Sequence, residues 1–150
     1  MNKLLQAVIN ESELFGSRAW GGSTDDSDWD YITSMLYIVD IRTLLNSDPE
    51  VENIICSEYD NNVLANKESV KFRYRGKIYN FIFYEPENLW ISKSVNSLMY
   101  KIKDVEVFHK RVSNNKSIRI KFCEMYFDTL NPLDLDVNTD TYPSVPWGTH

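Results

Sequence analysis

Cysteine and histidine are scarce in this chain: two of each in 150 residues, Cys56 and Cys123, His109 and His150. The cysteines lie far apart and outside any metal-ligand spacing, which argues against a disulfide framework and a zinc site. Two reduced thiols in a cytoplasmic protein are the expected state. Glycine and proline number five each, so collagen-like and linker compositions are excluded. No apolar run approaches the roughly 18–20 residues of a membrane-spanning helix. The first ten residues lack the apolar core and small-residue cleavage site of a signal peptide, and no membrane association is expected. Repeats and low-complexity tracts are missing as well.

What the chain does have is core-forming material. Apolar residues make up 43% and aromatic residues 13%, too many for a mostly disordered chain and suited to one domain. The net charge of −6 hides a block structure. Residues 1–66 carry 3 basic and 12 acidic side chains, residues 67–121 carry 13 and 5, and residues 122–150 carry none and 5. A basic middle in an acidic chain marks either a polyanion site or blocks that neutralise each other across the fold.

Hydrophobic spacing predicts a short helix over 2–9, where Leu4, Leu5, Val8 and Ile9 share a face. Glu13 to Phe15 reads as a strand entering a tight turn at Gly16-Ser17. The small and polar residues 19–27 read as a loop. Trp29 to Ser34 reads as a strand. Met35 to Leu45 reads as a helix ended by Asn46-Ser47-Asp48-Pro49. Residues 50–66 fit either a short helix or a strand. Ser69 to Tyr74 and Lys77 to Tyr84 form a hairpin across Arg75-Gly76, with Lys71, Arg73 and Arg75 on one face of the first arm and Phe72 and Tyr74 on the other. Pro86 stops the second arm. Helices are predicted over 89–103 and 117–130. The expected fold is α+β: a small mixed sheet with helices packed on it. Residues 1–130 form the domain, and 131–150 form an extended tail packing through Tyr142, Val145 and Trp147.

One segment carries chemistry: Leu14-Phe15-Gly16-Ser17-Arg18-Ala19-Trp20-Gly21, then Ser27-Asp28-Trp29-Asp30. Glycine lets a strand end turn sharply and approach a ligand closely, and a serine hydroxyl with turn amides can hold phosphate oxygens. After ten intervening residues, Asp28 and Asp30 flank Trp29, and on a strand such a pair shares a face. Adjacent carboxylates repel, and a hard divalent cation removes that cost. The plainer reading of the same residues is a tight turn followed by solvated aspartates.

The pattern Gly-Ser followed by Asp-x-Asp resembles the signature of the DNA polymerase β-like nucleotidyltransferase superfamily. The wording GSRAWG…SDWD is most similar to its small members, including antitoxin-type and phage-encoded ones. The motif covers residues 14–30, and the order of elements is similar over roughly 1–85. The resemblance implies a polymerase β-like fold. It implies that Gly16 and Ser17 cradle the β- and γ-phosphates of a nucleoside triphosphate, and that Asp28 and Asp30 ligate Mg²⁺ or Mn²⁺. Arg18 would pair with a phosphate or be packed structurally. The family's third carboxylate sits on a later strand, and here the matching residue is Asn80, which can coordinate a metal but cannot act as a base. Glu85 and Glu87 follow, off its face.

The function these residues imply is Mg²⁺-dependent transfer of a nucleoside monophosphate to an acceptor hydroxyl. The net acidic charge and small size place a protein or small-molecule acceptor ahead of RNA. The alternative is a weakly active or inactive relative that binds and neutralises a toxin or host factor. A third reading, single-strand nucleic-acid binding, rests on Lys71, Arg73, Arg75 and Lys77; the ordinary reading of that row is the wet face of a hairpin. Trp20 is expected to pack at the core edge rather than stack on a base, and His109 to be structural. The helix over 117–130, apolar on more than one side, is expected to be buried or to form an interface.

Overall fold

Asn2 starts the first helix. Its Oδ1 accepts from the amides of Leu4 at 2.8 Å and Leu5 at 3.3 Å, which satisfies two donors of the first turn. In this computed structural model α1 spans Lys3–Asn10 and buries Leu5 and Val8. Residues 1–58 and 66–103 are described, together with 118, 121, 124 and 125, which are helical. The helix expected over 117–130 is therefore described at these four positions alone. The tail 131–150, His109 and Cys123 lie outside the described residues.

Strand β1, Glu13–Phe15, ends at Gly16, and a four-residue helix α2, Ser17–Trp20, follows. This corrects the loop expected over 19–27, which begins only at Gly21. Ala19 and Trp20 are buried, and burying them outweighs the loop-like composition of the stretch. Strand β2 is Trp29–Ser34, as its sequence predicts. Ser34 Oγ then accepts from the Leu36 amide at 3.1 Å and opens a 3₁₀ turn, Met35–Tyr37. Helix α3, Ile38–Ser47, continues from it and buries Ile38, Ile41 and Leu44, so the helix expected over 35–45 is a tighter turn joined to a later helix.

The ambiguous stretch after residue 50 is a strand, β3, Val51–Glu58. It pairs with β4, Glu68–Tyr74, and its register shifts between Glu52 and Ile55, where Asn53 takes a left-handed φ of 53°. β4 and β5, Lys77–Tyr84, form the predicted hairpin. Its two turn residues, Arg75 and Gly76, have φ of 50° and 79°, the left-handed pair that a two-residue turn needs to match strand twist. Helix α4, Pro86–Lys103, begins three residues earlier than expected. Proline suits the first helical position because its missing N–H would have no helical partner there, and the Glu85 carbonyl accepts from Asn88 and Leu89.

The strands lie in the order β1-β2-β5-β4-β3. β2 and β5 are parallel, and the other neighbours are antiparallel. The fold is thus α+β with a mixed sheet. Strand alternation divides its two faces. On one, Val70, Phe72, Tyr74, Tyr79, Phe81 and Phe83 pack with Leu5 and Val8 of α1 and Ile38, Ile41 and Leu44 of α3. On the other, Ile32 and Tyr84 pack with Ala19 and Trp20 of α2 and Ile91, Val95 and Met99 of α4. Trp20 Nε1 donates to Asn96 Oδ1 at 2.8 Å, and Asn96 Nδ2 donates to the Leu14 carbonyl at 3.0 Å. This buried relay joins α2, α4 and β1, and Trp20 packs in the core as expected.

Candidate functional site

The second face is apolar along only part of its length. Asp30 shares it with Ile32 on β2, and Asn80 shares it with Ile82 on β5. Asp30 and Asn80 are Cα partners in the parallel pair, and Asn80 Nδ2 donates to Asp30 Oδ1 at 3.1 Å. The same row continues into β4, where Lys71 is the partner of Asn80. Lys71 Nζ lies 2.7 Å from Asp28 Oδ2. The row thus brings both aspartates, Asn80 and one lysine to the same end of the sheet.

The turn at Gly16 reaches this cluster from the other side. Gly16 has a φ of 80°, which disfavours any side chain. A Cβ added there would lie 2.5 Å from Asp30 Oδ2. Glycine is therefore required twice, for the backbone angle and for the approach of the turn to the carboxylate. Ser17 follows at the start of α2, next in the chain to the glycine that meets Asp30.

Arg18 faces elsewhere. Its Nε and Nη2 donate to the Ser27 carbonyl at 3.1 and 2.9 Å, and Nη2 also donates to the Asp25 carbonyl at 3.0 Å. Its guanidinium stacks 4.2 Å from the centre of the Trp29 ring. Of the two roles open to it, packing is the one it fills here, tying the loop to α2. Within that loop the Thr24 amide donates to Ser27 Oγ at 2.8 Å, which stiffens the approach to Asp28. Beside Trp29 lies a hollow of about 170 Å³ lined by Arg18, Asp25, Asp26, Arg73, Lys77 and others. Burial and the neighbouring Tyr79 raise the Tyr31 phenol above 10.0, with Arg18 opposing them.

The basic row predicted on the hairpin is divided among different jobs. Lys71 pairs with Asp28, and Arg75 pairs with Glu50 at 2.6 Å. Both pairs join the basic middle to the acidic first block, so the two blocks meet and partly neutralise each other. Glu85 serves the start of α4 through its carbonyl, and its position off the Asn80 face follows from ending the strand. The sequence reading set Lys71 on a solvated face, where its side chain is indeed 41% exposed, but did not foresee its pairing with Asp28. Its signal was present: counting four positions back from each side of the Arg75-Gly76 turn sets Lys71 opposite Asn80.

No protein-family model matches the chain, and no curated protein matches it in sequence. Among the described residues no group of three or more His, Cys, Asp or Glu side chains could hold a metal ion, and no helix is long and apolar enough to cross a membrane. Two carboxylates at one strand end nevertheless match the donors Mg²⁺ takes, although Asn80 turns its amide N–H rather than its carbonyl to Asp30. That ion is commonly held by one or two carboxylates and completes its shell with water and substrate phosphates. Asp28 and Asp30 would be its protein ligands.

Proposed function

We propose that the chain is a metal-dependent nucleotidyltransferase of the polymerase β-like type, moving a nucleoside monophosphate from a nucleoside triphosphate to an acceptor hydroxyl. The observation that carries this reading is the meeting of three separated segments: the Gly16-Ser17 turn against Asp30, and Asp30 in register with Asn80. A fortuitous Asp-x-Asp pair has no reason to be met by a glycine whose missing side chain makes room for it. The order of elements up to β5 supports the same reading, with a Gly-Ser turn between β1 and β2 and a later strand running parallel to the Asp-x-Asp strand.

In this reading Gly16 and Ser17 hold the β- and γ-phosphates through the turn backbone and the Ser17 hydroxyl. Asp28 and Asp30 hold Mg²⁺, or Mn²⁺ in its place, which neutralises charge on the phosphates and on the leaving pyrophosphate. The acceptor oxygen forms a bond to the α-phosphorus, the bond from that phosphorus to the β-bridging oxygen breaks, and pyrophosphate departs. The hydroxyl proton leaves to solvent, because Asn80 has no basic group to receive it. The acidic net charge favours a protein or small-molecule acceptor over a nucleic acid, and a cytoplasmic location provides the triphosphate.

One observation favours a second reading. Asn80 presents its amide N–H to Asp30 where a third carboxylate is expected, and Lys71 neutralises Asp28. A site so arranged would also suit a weakly active or inactive binding protein that neutralises a toxin or host factor. Thermal denaturation with each Mg²⁺–nucleoside triphosphate, beside Asp28→Asn/Asp30→Asn, tests the choice. Ligand that binds only the native state raises Tm. A Mg²⁺-dependent rise absent from the double variant, with transfer of α-labelled nucleotide lost by at least about a hundredfold, is the expected result. No rise with any nucleotide would defeat the transferase reading.

A further inference from the structure

Lys71 is the cation paired with Asp28, the first of the two aspartates. Its Cα partner is Asn80, whose partner on the next strand is Asp30, and its ammonium lies 2.7 Å from Asp28 Oδ2. Three nearby cations are occupied differently: Arg18 on backbone carbonyls, Arg75 on Glu50, and Lys77 above the Trp29 ring at 5.4 Å; Arg73 lies two positions along the strand from Lys71 and lines the hollow beside Trp29. The Lys71 side chain is 41% exposed and that of Asp28 is 26% exposed. An ion pair this open to water holds weakly and exchanges readily. A lysine carries its charge on a long flexible stem with three rotatable donors, so the same ammonium can serve two anions in turn.

We propose that Lys71 is the resident counter-ion of this site: it holds Asp28 while no metal is bound, yields Asp28 to a divalent cation, and then turns to the polyphosphate of the incoming nucleotide. The proposal rests on the nucleotidyltransferase reading and adds a coupling to it. Metal alone must displace Lys71 and binds poorly. Nucleotide alone meets two carboxylates, one of them still holding the lysine. Together they release Asp28 to the metal and the ammonium to the phosphates, and each tightens the other by the same factor, as linkage requires.

Mn²⁺ titrated into the full chain, with free Mn²⁺ read by paramagnetic resonance, tests this with and without the nucleoside triphosphate that gives the largest thermal shift. Lys71→Gln should bind Mn²⁺ alone about fivefold more tightly than the wild type, bind the nucleotide more weakly, and lose most of the mutual tightening. Lys71→Arg should retain it. Lys77→Gln, which removes a nearby charge that contacts neither aspartate, should leave Mn²⁺ affinity nearly unchanged. If the wild type binds Mn²⁺ with nucleotide and Lys71→Gln binds Mn²⁺ no more tightly, the counter-ion proposal falls while the transferase reading stands. Mn²⁺ binding to Lys71→Gln alone, with none to the wild type even beside nucleotide, would overturn the exchange by making Lys71 a permanent plug. If neither protein binds Mn²⁺ or nucleotide under any condition, the transferase reading falls and the proposal falls with it.

Discussion

The two faces of the sheet are built from the same five strands and solve opposite problems. The face under α1 and α3 is an aromatic surface: Phe72 stacks on Tyr79 at 5.7 Å, and Tyr31 stacks on Phe81 at 5.5 Å. The face under α2 and α4 is apolar at Ile32 and Tyr84 and polar at Asp30, Asn80 and Lys71. A strand residue and its neighbour belong to different faces, so the aromatic side fixes the register of the polar side. Slipping β5 by one residue would bury Asn80 and expose Phe81 at once. The site is held in place chiefly by residues that never touch it.

That division can be broken from its stronger side. Phe81→Ala removes a fully buried ring at the centre of the aromatic face and should cost about 3–5 kcal/mol. Chemical denaturation should show the loss, and nucleotide-induced thermal shifts should vanish with it, although Phe81 lies on the face away from Asp30. A smaller effect is expected from the polar side. Gly16→Ala places a methyl at a positive φ and against Asp30 Oδ2, which should cost about 1–3 kcal/mol. Nucleotide binding should fall out of proportion to that stability loss. If Gly16→Ala weakened folding and left nucleotide binding intact, the turn would be structural alone.

The smallest effect separates the faces by pH. Burial, with the charge of Tyr74 adding to it, raises the Tyr79 phenol above its usual 10.0. A raised folded value favours the neutral form, so the stability it contributes is complete below 10.0 and is lost as pH climbs past it. Tyr79→Phe should therefore flatten the alkaline loss of stability above pH 10.0, the ordinary value of the phenol, and change little near neutrality. Urea midpoints measured through the alkaline range would show it. An unchanged alkaline slope would mean that Tyr79 ionises as freely in the native state as in the unfolded chain.

Much of this arrangement was written locally. Strand-like runs gave β2, β4 and β5, the spacing of Leu4, Leu5, Val8 and Ile9 gave α1, and Arg75-Gly76 gave the hairpin and its register. Gly16, Ser17, Asp28 and Asp30 stood out through the spacing of a Gly-Ser turn and an Asp-x-Asp pair, and Asn80 entered only through the family resemblance. What could not be read was non-local. β3 shows five consecutive exposed residues, 52–56, and no alternation, so it exists by pairing with β4 rather than by a face of its own. The short helix α2 is made by burial of Trp20 against Asn96 of α4. The contact of Lys71 with Asp28 needed one more fact than the hairpin count supplied, namely that β5 lies beside β2.

The irregular register of β3 has a consequence for the molecule in a crowded solution. β3 is an outer strand, and it carries Ile54 and Ile55 in the open at 46% and 57% exposure. A straight border of that composition would template the addition of further strands from other molecules. Asn53, turned into the left-handed region between Glu52 and Ile55, interrupts the border at its most adhesive point. Straightening that kink would turn a finished sheet into the seed of a fibre.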